Sequence, residues 1–126
     1  MNVILSLNPK YFERIASGEK KIEFRKIIFN RNVSEVWIYS TSPIKKLVGK
    51  FSPGRISYGS PVFLWSLFKD KAGLTEEEFF SYFKNSEKGY AIEIENFELF
   101  DIPIEPEKII PNFIPPRNFM YFETDF

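Results

Sequence analysis

Apolar positions along this chain change period several times, and each change marks an element. Residues 2–7, "NVILSL", are a short, mostly apolar run closed by Asn8-Pro9, which predicts a strand and then a turn. Pro9 suits the first turn of a helix with Asn8 as its cap, and Phe12, Ile15 and Ala16 fall on one helical face. Gly18 stands where a helix C-terminus takes a left-handed residue. Beyond it the period drops to two. Ile22 and Phe24 alternate with Glu23 and Arg25, the pattern of a strand buried on one side.

The most strand-like run is "EVWIYS" at 35–40, rich in β-branched and aromatic residues. Its alternation sets Val36 and Ile38 inward and Trp37 and Tyr39 outward with Glu35. After the turn "STSP", the run "KKLVGKF" (45–51) predicts the next strand, broken or bulged by "SPG" (52–54) before "RISYG" continues it. The middle of the chain is helical. Ser60-Pro61 starts one helix with Phe63, Leu64, Leu67 and Phe68 on one face, and Thr75 to Glu78 is a T-x-x-E capping box that opens another. The aromatics of that second helix, Phe79, Phe80, Tyr82 and Phe83, read as core. Its acidic first turn, Glu76–Glu78, suits the helix dipole better than a metal.

"YAIEIENFELF" (90–100) predicts a strand with Tyr90, Ile92 and Ile94 inward and Glu93 and Glu95 outward. The tail is rich in proline yet apolar, which predicts extended segments wrapping the body and a last strand at Asn118–Phe122. The sum is five or six short strands with two or three helices between them. That pattern fits an α+β domain spanning 1–126, a small, mostly antiparallel barrel, closed or half-closed.

Composition narrows the chemistry. With 44% apolar residues, 27% charged residues and zero net charge the chain reads as an ordinary globular domain, and its fifteen phenylalanines must be mostly buried. It has no cysteine, which excludes disulfides and thiolate metal sites. It has no histidine, which excludes a Ser-His-Asp triad, histidine-bound zinc and histidine acid–base catalysis. Catalysis would fall to Lys, Asp/Glu, Tyr, Ser/Thr or backbone groups, and no obligatory cofactor is expected. No apolar run approaches the roughly 20 residues that span a bilayer, and no leader pattern opens the chain, so a cytoplasmic protein without membrane partners is expected. The zero net charge conceals an asymmetry. Residues 1–50 hold ten Lys/Arg against four Asp/Glu, and residues 51–126 hold seven against thirteen. The basic half, with Lys20, Lys21, Arg25, Lys26, Lys45, Lys46 and Lys50, is the half suited to attract phosphate.

Gly18-x-Lys20-x-x-Glu23-x-Arg25 matches G-x-K-x-x-E-x-R, the signature of the ASCH domain, a branch of the PUA-like superfamily. It follows a predicted helix and enters a predicted strand. The turn "YSTSP" (39–43) and the closing "PNFIPPRNF" (111–119) agree with it, so the chain resembles that family from residue 2 to about 122. The resemblance implies a PUA-like barrel with a cleft lined by the signature, binding RNA or a modified nucleotide or nucleoside, in connection with translation or RNA metabolism. It also implies two enzymatic branches as an alternative, both metal-independent: a ribonuclease, and a hydrolase of the acyl amide of N4-acetylcytidine. In the amidohydrolase branch the signature lysine, matched by Lys20, is the base. The nucleophilic threonine stands where this chain has Glu23, and the helper glutamate falls near "DKAGLT", with Asp70 out of register. Two of three positions therefore depart from that mechanism.

Strand alternation sets Glu23 and Arg25 side by side, a carboxylate–guanidinium pair able to aim an arginine fork at a phosphate or base edge. A cross-strand salt bridge is the plainer reading. Lys20 can reach the cleft as a point charge or simply serve the helix dipole, and Lys21 reads as exposed. Ser40, Thr41 and Ser42 offer hydroxyls and amides for a phosphate, or form a turn that satisfies itself. Tyr39, Trp37 and Phe119 are candidate stacking platforms, and Arg117 is a candidate second cation. The candidate ligand set is thus Lys20, Glu23, Arg25, Tyr39, Ser40, Ser42, Arg117 and Phe119, with Lys20 and Glu23 as candidate acid and base. The ligand, catalysis and oligomeric state stay open at this level.

Overall fold

The computed structural model describes residues 1–124. Its strands are β1 (Asn2–Leu7), β2 (Ile22–Arg25), β3 (Glu35–Ser40), β4 (Lys46–Gly59), β5 (Gly89–Ile104) and β6 (Phe119–Phe122). Its helices are α1 (Pro9–Ala16), α2 (Pro61–Phe68) and α3 (Glu76–Tyr82), with two single 3-10 turns at Lys69–Lys71 and Pro106–Lys108. The strands make one sheet in the order β2-β5-β4-β3-β1-β6. All neighbours are antiparallel but β1 and β3, which run parallel with Asn2 opposite Glu35 and Leu7 opposite Ser40. A parallel pair needs a long crossover, and α1 with β2 lies within it. Register shifts in β4 between Leu47 and Gly49, Lys50 and Ser52, and Pro53 and Ile56 accompany the curl of the sheet into a half-barrel. This is the α+β class expected, with β2 and β6 as its two free edges.

The helix caps form as the sequence predicts. The Asn8 side chain accepts from the Lys10 amide at 2.8 Å, and the Ser60 hydroxyl accepts from the Phe63 amide at 3.2 Å. The box at α3 is reciprocal: Thr75 Oγ1 accepts from Glu78 N, and Glu78 Oε1 accepts from Thr75 N. Helix faces depart from expectation in places. Phe12 and Ile15 are buried but Ala16 is exposed. On α2 the buried side is Leu64 with half-buried Trp65 and Phe68, while Phe63 and Leu67 face solvent. Phe79 of α3 and Phe83 just after it are core, and Tyr82 is not.

Three apolar clusters hold the sheet. One joins Val3, Leu5, Val36, Ile38 and Ile92 to Phe12 and Ile15 of α1. A second packs Ile22, Phe24 and Ala91 under Leu64, Phe79 and Phe83. The third joins Ile4, Trp37, Tyr39, Leu47 and Phe122 beneath Ile109, Ile110 and Phe113 of the tail. Two expectations are corrected here. Trp37 and Tyr39 do point away from Val36 and Ile38, but they are only 3% and 5% exposed because the tail lies on that face. β2 is buried on both sides, so Glu23 and Arg25 are as sheltered as Ile22 and Phe24. Among the described residues no helix is long and apolar enough to cross a membrane.

Candidate functional site

The segment from α1 to β2 is fixed by its backbone before its side chains contribute. Gly18, at a φ of 85°, turns the chain off α1. The Lys20 amide then donates to Arg14 O at 2.9 Å, and the Lys21 amide to Lys71 O at 2.9 Å. Lys20 is thereby folded inward, only 3% exposed, while Lys21 is exposed. Its ammonium donates to the carbonyls of Ile22 and Ala72 and lies 3.5 Å from Glu23 Oε1. Burial lowers the lysine pKa from its usual value, and the Glu23 charge opposes that shift.

Glu23, 4% exposed, also meets Arg25 Nη1 at 3.2 Å. Arg25 reaches further, from Nη1 to Ser6 O at 3.5 Å and from Nη2 to Asn118 O at 3.0 Å. Two cations therefore share one buried carboxylate. Buried charge is costly unless it is paired, so this cluster favours an additional anion.

The cluster floors a cavity of about 100 Å³. Tyr11 of α1, Glu78 and Tyr82 of α3, Leu7 and Leu74 make its walls. It has room for a phosphate group or the edge of a base. Glu78 is held in place by Arg14, Nη1 to Oε1 at 2.8 Å and Nη2 to Oε2 at 3.1 Å. That pair, with the Thr75 amide, holds the Glu78 carboxyl well below the usual range and raises the Arg14 pKa. Burial pushes the Tyr82 hydroxyl up, and the Lys26 ammonium sits 5.0 Å over its ring.

Of the residues singled out in the sequence, the cavity gathers Lys20, Glu23 and Arg25. Ser40 lies next to it, paired with the cavity residue Leu7 across the parallel ladder, 1% exposed and with no hydrogen-bond partner for Oγ among the described residues. The other residues lie elsewhere. Tyr39 packs on Phe113 with centroids 5.1 Å apart, and Phe119 packs on Phe29 and Tyr121. Ser42 and Arg117 are exposed outside the cavity lining. The turn after β3 closes on itself, Ile44 N donating to Thr41 O and Lys45 N to Ser40 O, while Thr41 N donates to Leu7 O of β1. Asp70 lines a separate depression of about 310 Å³ with Arg14, Glu19 and Lys69. Sequence reasoning missed Tyr11, Glu78 and Tyr82. The capping box explained Glu78 fully, and an aromatic helix hides which of its rings meets a cavity.

The model of the family described as Domain of unknown function (DUF365) matches residues 1–113. The ASCH domain-containing ribonuclease of Zymomonas mobilis is 31% identical over 97% of this chain and 84% of that protein. The crystal structure of ASCH from Zymomonas mobilis superposes with a TM-score of 0.88 at 31% identity, covering 97% of this chain and 87% of that one. A tyrosine-to-phenylalanine variant of the Zymomonas mobilis protein gives 0.89 at 30% identity, over 97% of this chain and 90% of that one.

Proposed function

The chain belongs to the ASCH domain family and to the family DUF365, and on that premise we propose that it binds single-stranded RNA at the cavity floored by Lys20, Glu23 and Arg25 and cleaves it there without a metal. The observation that carries this reading is the buried cluster in which two cations share one carboxylate. A phosphodiester supplies the missing negative charge, and its phosphate fits the cavity. The relative named as a ribonuclease supports RNA as the ligand.

The same three groups suffice for transesterification. The Glu23 carboxylate takes the proton of the ribose 2′-hydroxyl as the 2′-oxygen bonds to the adjacent phosphorus. The bond from phosphorus to the 5′-oxygen breaks, and that oxygen takes a proton from the Lys20 ammonium. Arg25 offsets charge on the phosphoryl oxygens. Burial makes Lys20 a better proton donor than a solvated lysine. With Lys20 and Glu23 3.5 Å apart, the proton gained by one returns to the other and resets the site. The products are a 2′,3′-cyclic phosphate and a 5′-hydroxyl.

The test is incubation with end-labelled single-stranded RNA in a chelator, beside a parallel sample of N4-acetylcytidine. The expected result is fragments ending in cyclic phosphate, no shortening by a folded Glu23→Gln variant, and retention that weakens as salt rises. RNA retained but intact would end the cleavage step. Absence of retention would end the RNA reading, and deacetylation would move the assignment to the family's amidohydrolase activity.

A further inference from the structure

We propose that Tyr58 and Tyr90 form a stacking platform for the base of a second nucleotide, extending the RNA site across the sheet from Arg25; this rests on the RNA reading above. In the β2–β5 ladder Arg25 stands opposite Tyr90, and in the β4–β5 ladder Tyr90 stands opposite Tyr58. Directly opposed residues share a sheet face, so Arg25, Tyr90 and Tyr58 form one row. The neighbouring row on that face is Glu23, Ile92 and Ile56. The platform thus stands on the same sheet face as Glu23 and Arg25, although neither tyrosine lines the cavity itself.

The two rings lie 4.9 Å apart, tilted by 43°, and Tyr58 is 57% exposed. Its ring adds little to the core and leaves a face open to solvent. The Lys88 ammonium sits 6.0 Å from the Tyr58 centroid, a cation placed for the phosphate of a stacked nucleotide. The backbone beneath is closely packed. Gly59 and Gly89 are paired at the end of this ladder, and a methyl group at either would strike Phe63 or Phe83. Two strand spacings, about 10 Å, separate Tyr58 from Arg25, so the stacked base and the phosphate in the cavity belong to different nucleotides of one strand.

The Lys88 ammonium beside the open ring and the strand pairing that leads from it to Arg25 identify single-stranded RNA as the occupant rather than a protein. The experiment measures dissociation constants of dinucleotide and octanucleotide RNA for the native chain, Tyr58→Ala and Tyr58→Phe, in a chelator at low temperature. Tyr58→Ala is expected to weaken octanucleotide binding by about 5- to 150-fold, the equivalent of about 1–3 kcal/mol of base stacking, with Tyr58→Phe close to native. Equal octanucleotide binding by native chain and Tyr58→Ala overturns the platform, as does an equal loss in Tyr58→Phe, which would mean that the hydroxyl acts instead of the ring. The outcomes separate the two proposals. Cleavage that depends on Glu23 with binding indifferent to Tyr58 removes the platform alone. Binding that depends on Tyr58 without cleavage removes the catalytic reading alone, and absence of RNA binding removes both.

Discussion

Arg25 Nη2 donates to the carbonyl oxygen of Asn118 at 3.0 Å, tying edge strand β2 to the residue before the opposite edge strand, β6. The same guanidinium meets Glu23 and the Ser6 carbonyl. One side chain therefore both furnishes the site with charge and bridges the two ends of the half-barrel.

Arg25→Lys tests that double role. A single ammonium cannot span Glu23, Ser6 O and Asn118 O as the planar fork does. The expected loss is about 1–3 kcal/mol of stability, together with faster amide hydrogen exchange across residues 118–122. Native exchange rates there would show that the tail is held by its apolar contacts alone.

Gly73→Ala probes how Lys20 is placed. Gly73 has a φ of 63°, and a β-carbon on it would run into Cα and Cβ of Lys20. The left-handed conformation alone costs a non-glycine residue about 1–2 kcal/mol, and Lys20 must shift as well. RNA cleavage is expected to fall along with the urea midpoint, although residue 73 itself stands outside the proposed chemistry. Native cleavage and native stability together would show that the packing is loose.

The Arg14–Glu78 pair predicts an acid limb in the stability profile. The Glu78 carboxyl titrates below its ordinary 4.5 in the folded chain, chiefly because Arg14 donates to it. The stabilisation is therefore complete above the unfolded value and is lost as pH falls through the folded one. Thermal melts from neutral pH to about pH 2 should show a steeper acid loss for the native chain than for Glu78→Gln. Parallel curves would mean that the pair contributes nothing.

Trp37 separates core from platform. It lies between Phe100 and Phe122, with centroids 5.3 and 5.4 Å away. Trp37→Ala should cost about 3–5 kcal/mol, while Trp37→Phe should fold and retain RNA as the native chain does. In a Trp65→Phe background, saturating RNA should leave the remaining tryptophan emission unchanged. Quenching on binding would return Trp37 to the ligand surface.

Hydrophobic period and capping chemistry were enough to place most elements in the sequence. The runs 2–7, 22–25 and 35–40 are strands with the bounds the pattern predicts, and the Asn8, Ser60 and Thr75 caps form as their side chains dictate. Those features depend on neighbours within a few residues, and the sequence states them directly. The signature likewise put Lys20, Glu23 and Arg25 on one short stretch. What the sequence could not say is which faces are covered. Alternation correctly separates Trp37 and Tyr39 from Val36 and Ile38, but only the docking of the tail makes both sides interior. The inward fold of Lys20 depends on the backbone at Lys71–Gly73, and the reach of Arg25 depends on Asn118. A side chain's direction follows from local backbone geometry. Its burial, and with it the strength of its charge, follows from whichever distant segment excludes water from it.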